Sequence, residues 1–118
     1  MKLVLRSVAF VSAGALALTG CGAQNSASDS KDDVVKVVTT TDVYADVVRQ
    51  IAGDKVEVTS LISSTSQDPH SYEATASDRL KVKDADLVVL NGGGYDQFLE
   101  DMAGTDNPDQ KVVNAVEE

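Results

Sequence analysis

From Val34 onward the chain alternates short apolar runs with polar punctuation, and the period of the apolar positions changes from one run to the next. Val34-Val35-Lys36-Val37-Val38, closing in Thr39-Thr40-Thr41, is a β-branched run that predicts a strand. Between Asp42 and Ala52 the apolar residues fall at Val43, Val47, Val48 and Ile51, which is helical spacing, and Gly53 supplies a C-terminal stop. Thr41 or Asp42 is the expected N-cap, its side-chain oxygen accepting from amides of the first turn. Val56, Val58 and the pair Leu61-Ile62 predict a second strand. Strand, helix and strand in so few residues imply a βαβ unit with a right-handed crossover and a parallel sheet.

Residues 63–74 are polar and predict a loop, after which Thr75 and Asp78 have the spacing of a capping box. A short helix through Leu80 and Val82 follows, and then Asp86-Leu87-Val88-Val89-Leu90, a third strand apolar enough for burial on both faces. Asn91-Gly92-Gly93-Gly94 predicts a tight strand-to-helix turn, residues 96–103 a further helix, and Lys111-Val112-Val113-Asn114 a fourth strand. The fold class is therefore α/β, a parallel sheet with flanking helices. A last strand without a covering helix would leave part of such a sheet bare, so the sequence reads as the first part of a longer protein.

Ahead of this lies a different kind of segment. Lys2 and Arg6 precede an apolar run from Val8 to Leu18, with small residues just before Cys21, which is the pattern of a secretory signal. The run is shorter than the roughly 20 apolar residues that a spanning helix needs. Cys21 is the only cysteine, so no disulfide can form within the chain. Leu18-Thr19-Gly20-Cys21 resembles the lipobox of bacterial lipoproteins, which implies lipidation at Cys21 and a membrane anchor without a spanning segment. Residues 22–33, GAQNSASDSKDD, cannot bury enough surface to fold and read as a tether reaching about 20 Å. The expected divisions are thus a signal peptide at 1–20, a lipidated cysteine with tether at 21–33, and an α/β lobe at 34–118.

Without Lys2 and Arg6 the chain keeps 8 of its 10 basic residues against 19 acidic ones, a net charge of −11. Nucleic acid is excluded as a partner, because phosphate binding needs a basic face. An acidic surface draws cations weakly through its long-range field, and it also keeps a domain soluble.

The one histidine, His70, sits in the polar loop within Gln67-Asp68-Pro69-His70-Ser71-Tyr72-Glu73. A neutral imidazole is a common transition-metal ligand, and Pro69 stiffens the loop that carries it. A lone loop histidine is more often a solvated turn residue, and zinc sites use three or four protein ligands. Gly92-Gly93-Gly94 lacks both the dinucleotide fingerprint and the lysine of a phosphate loop. Thr39-Thr40-Thr41 before a helix could hold an anion, but Asp42 and Asp46 oppose it. Asp68 beside His70 hints at a hydrolase pair, although sequence neighbours need not face one another and no nucleophile motif is present. Tyr72 and Tyr95 read as half-buried anchors beside a cleft.

Four stretches in order resemble the N-terminal part of the solute-binding lipoproteins of zinc and manganese ABC transporters. They are Val37-Val38-Thr39-Thr40 leading into a helix, Ile51-Ala52-Gly53-Asp54-Lys55-Val56 with Leu61, Asp68-Pro69-His70-Ser71-Tyr72-Glu73 with Ser77-Asp78, and Asp84-Ala85-Asp86-Leu87-Val88 leading to Asn91-Gly92 and a Tyr/Phe-containing helix. The resemblance implies two periplasmic-binding-protein-like α/β lobes joined by one long helix, with the metal between them. It also implies His70 as the first metal ligand, zinc or manganese as transported cargo, a permease partner, a monomeric lipid-anchored protein on the extracytoplasmic face of the membrane, and no catalysis. The remaining ligands would lie beyond Glu118. The competing reading is an adhesion or interaction lipoprotein of the same half-fold. Ligands gather beyond the carboxyl ends of parallel strands, so the threonine run, the His70 loop and the Gly92 turn are expected along one edge.

Overall fold

The computed structural model describes residues 34–117; the signal segment, Cys21 and the tether lie outside them. Strands β1 (Val35–Thr41), β2 (Val56–Ile62), β3 (Leu87–Leu90) and β4 (Lys111–Asn114) form one sheet in the order β2-β1-β3-β4, and every pairing is parallel. Helices α1 (Asp42–Ala52), α2 (Ala76–Lys83) and α3 (Gln97–Glu100) make the crossovers. Helix α3 is shorter than the expected 96–103, and the rest of that stretch continues as turns closed by Gly104 at φ 71°.

Strand order and crossover handedness decide which helix covers which face. The step from β1 to β2 runs one way across the sheet, and the steps to β3 and β4 run the other way. Right-handed connections then put α1 on one face and α2 and α3 on the opposite face. On the α2/α3 face Val38, Leu61, Val88 and Leu90 join Val82, Ala85, Leu99 and Met102 in the main core. Val37 and Ile62 alternate to the other face, where α1 lies along β1 and β2.

Two expectations need correction here. Strand β3 is not buried on both faces: Val88 and Leu90 are buried, while Leu87 and Val89 remain half-buried, because α1 sits over β1 and β2 and does not extend across β3. Thr41 is the N-cap of α1, but its side chain caps nothing, and the Asp42 carboxylate instead accepts from the Ser60 hydroxyl on β2. Three of the four apolar stripe residues of α1 also turn outward, while Val48 is half-buried. Val43, Val47 and Ile51 are 70%, 48% and 81% exposed, whereas Ala45 is fully buried against the sheet. The helix forms where the periodicity placed it, with a smaller residue at its contact. Helix α2 follows its sequence signature closely: the Thr75 hydroxyl accepts from the Asp78 amide while the Asp78 carboxylate accepts from the Thr75 amide.

Candidate metal site

The His70 loop is ordered by its own sequence. Pro69 opens a single 3-10 turn over Pro69–Ser71, its fixed φ suited to the first position of a helical turn. Pro69 itself is buried, which pins the turn to the domain. The Asp68 carboxylate caps that turn, Oδ1 accepting from the His70 amide at 3.0 Å. The same oxygen lies 2.8 Å from His70 Nδ1. Asp68 and His70 therefore do face each other, since the tight turn folds the ring back over the cap. These two hydrogen bonds, the ring's first, hold the Asp68 carboxyl below the ordinary carboxylate range. The two side chains are 63% and 61% exposed. On its flank the imidazole meets Tyr95 edge-on, with ring centroids 5.0 Å apart.

Tyr95 reaches the histidine because the third strand ends in a sharply bent turn. Gly92 has φ 78°, a left-handed conformation that glycine adopts without penalty, and a Cβ there would stand 1.9 Å from Asn114 Oδ1. The turn is locked by Asp96, whose fully buried carboxylate accepts from the amides of Asn91 at 2.8 Å and Gly92 at 2.9 Å and from the Thr40 hydroxyl. Thr40 lies at the end of β1, so Asp96 ties the ends of β1 and β3 together one residue from Tyr95. The Tyr44 hydroxyl adds a bond to Asn91 from α1. Burial, first, and then the charge of Asp96 raise the Tyr44 pKa above the ordinary tyrosine value.

Thr41, the His70 loop and the glycine turn thus share the carboxyl edge of the sheet, as expected. Thr41, Ile62, Ser63, Gln67, Pro69 and Tyr95 line an open cleft there. Tyr95 and Tyr72 are half-buried, and Tyr72 packs on Phe98 at 4.8 Å while its hydroxyl donates to Asp78. Two of the three threonine hydroxyls are engaged within the fold, that of Thr40 with a carboxylate and that of Thr39 with the Thr41 carbonyl. Among the described residues the hydrogen bond on the His70 ring is the one to Asp68, and no hydroxyl bonds to it.

His70 presents Nε2 on the side of the ring away from Asp68, which is a single donor for a metal ion. Among the described residues no group of three or more His, Cys, Asp or Glu side chains could hold a metal. The sequence pattern did not point to Asp96. An acid behind a glycine turn is a familiar N-cap signal, but this one bonds backwards into the turn and across to β1 instead of into its own helix.

Residues 37–118 match the family described as ZnuA, zinc-uptake complex component A, periplasmic. The chain is 36% identical to the manganese ABC transporter substrate-binding lipoprotein scaA of Streptococcus gordonii, an alignment covering 98% of this chain and 37% of that protein. It is 35% identical to the manganese-binding lipoprotein MntA of Halalkalibacterium halodurans, covering 73% of this chain and 28% of the relative. Among solved structures, the periplasmic zinc binding protein TroA from Treponema pallidum superposes with a TM-score of 0.62 at 34% identity, over 70% of this chain and 29% of TroA. The Mn-bound periplasmic metal binding protein of Candidatus Liberibacter asiaticus gives 0.60 at 28% identity, over 68% of this chain and 30% of that protein. The chain spans less than two-fifths of the length of these relatives. Its motifs, its parallel α/β sheet and the match over most of its length show that it belongs to the ZnuA family of metal-uptake binding proteins, a solute-binding and not an enzyme family.

Proposed function

We propose that this chain supplies the N-terminal lobe of a lipid-anchored solute-binding protein that captures zinc or manganese for an ABC transporter, with His70 as its first metal ligand. The observation that carries the reading is His70 itself: an exposed imidazole on a stiff, capped turn at the carboxyl edge of a parallel sheet, with Nε2 directed away from its carboxylate partner. The names of the relatives support the cargo, since scaA is described as binding manganese and TroA zinc. One imidazole cannot complete a coordination shell, so the other ligands come from outside the described residues. Cys21 carries the lipid, and residues 22–33 hold the lobe off the membrane where a permease can be met. Among the described residues no helix is long and apolar enough to cross a membrane.

The test is uptake of radioactive manganese and zinc in cells whose full reading frame carries His70→Ala or Cys21→Ser. His70→Ala should lower accumulation of one of the two metals while the protein stays membrane-associated, and Cys21→Ser should release it from the membrane. Unchanged uptake of both metals with His70→Ala would overturn the reading and favour the adhesion alternative.

A further inference from the structure

We infer that Asp68 is the positioning residue of the site: it holds His70 in the Nδ1–H tautomer and so makes Nε2 the only ring nitrogen that can bind a metal. The inference rests on the capture reading for its purpose, but its geometry stands alone.

A neutral imidazole carries one N–H and one lone pair, and the hydrogen bond made by one nitrogen decides the chemistry of the other. Here Nδ1 lies 2.8 Å from Asp68 Oδ1. With the proton on Nδ1 that contact is a charge-assisted N–H···O⁻ bond of good length. With the proton on Nε2 the Nδ1 lone pair would face an anionic oxygen at the same distance, and both partners would have to separate. The carboxylate has little freedom to do so, because the same Oδ1 also accepts the His70 amide at 3.0 Å and caps the turn begun by buried Pro69. On its flank the ring packs in a T-shaped pair with Tyr95, centroids 5.0 Å apart, a geometry that rotation about the Cβ–Cγ bond would disturb. One carboxylate oxygen thus shapes the turn and selects the tautomer, and a carboxylate behind a ligating histidine also raises the basicity of the free nitrogen.

Because His70 is the only histidine, its ring nitrogens can be read without ambiguity in a long-range ¹H–¹⁵N spectrum of the intact labelled chain. The measurement is made without metal at about pH 9, well above the ordinary histidine pKa. The wild-type ring should show the Nδ1–H pattern. Asp68→Ala should shift the tautomer ratio several-fold toward Nε2–H. Asp68→Ser is the decisive variant, since a serine hydroxyl still caps the turn and keeps the fold but is too short to reach Nδ1. It should behave like Asp68→Ala in the ring spectrum and like wild type in amide dispersion. A wild-type ring already mainly in the Nε2–H form, or a tautomer ratio unmoved by Asp68→Ser, would overturn the inference. This readout needs no metal, so a failed uptake test would leave it standing, and its own failure would leave metal capture intact.

Discussion

Asp96 offers the sharpest test of how the site edge is built. Replacing it with alanine removes an acceptor that is fully buried and serves three donors: the amides of Asn91 and Gly92 and the Thr40 hydroxyl. Leaving a buried donor unpaired costs about 1–3 kcal/mol, and the two amides, fixed by the glycine turn, cannot turn to water as a hydroxyl can. A loss of about 3 kcal/mol or more is therefore expected, a large part of the ~5–15 kcal/mol by which native domains are stable. Asp96→Asn keeps the shape but gives one of the three donors an N–H to face, so it should fall between wild type and alanine. Thr40→Val removes one donor and leaves the carboxylate its two amides, at about 1 kcal/mol. Urea unfolding followed by circular dichroism measures all three, and combining Thr40→Val with Asp96→Ala should cost less than the two changes added, since they share a bond. The reasoning fails if Asp96→Ala lowers stability by less than about 1 kcal/mol at unchanged m-value, for the turn would then hold without its lock.

Other consequences are more local. Gly92→Ala should lower the midpoint of thermal unfolding by several degrees, combining a left-handed φ of 78° with a Cβ driven into Asn114; pairing it with Asn114→Ala should recover only the steric part. Burial alone would push the Asp78 carboxyl up, but bonds from the Thr75 hydroxyl and amide, Tyr72 and Lys81 outweigh it and hold the pKa below the ordinary carboxylate value. A depressed folded-state pKa means that Asp78 stabilises the fold above its unfolded value, about 3.9, and that this contribution disappears as pH falls through the folded value. Asp78→Asn should accordingly be less stable than wild type at neutral pH by chemical denaturation, with the gap closing below about pH 4. Because His70 is the only histidine and no group of three or more His, Cys, Asp or Glu among the described residues could hold a metal, the isolated chain should bind zinc no more tightly in calorimetry than its His70→Ala variant, and that variant should unfold within about 0.5 kcal/mol of wild type, as expected for a solvent-exposed side chain.

Features governed by neighbours a few residues apart were legible in the sequence. The four strands, the capping box of Thr75 and Asp78, the glycine turn and the Asp-Pro-His loop all depend on side chains acting within one turn of backbone. The α/β class and the parallel sheet followed from the spacing of strand and helix runs. The family followed from four motifs in sequence order, and the relatives agree with it. Other features depended on which residues meet across the sheet. Whether the apolar stripe of α1 faced the core was settled by the sheet surface beneath it, which took Ala45 and left Val43, Val47 and Ile51 outside. Strand β3 kept one half-open face because a single helix lies on that side, over β1 and β2. Asp96 reached Thr40 across 56 residues because β1 and β3 end side by side, and Tyr95 reached His70 from another loop along the same carboxyl edge. By itself the sequence determined that a histidine would stand on a stiff turn at this edge, because Pro69 fixes its own φ and the loop follows a parallel strand. Only the tertiary structure decided what the imidazole packs against, because Tyr95 is brought to it from the turn after β3, 25 residues further along the chain.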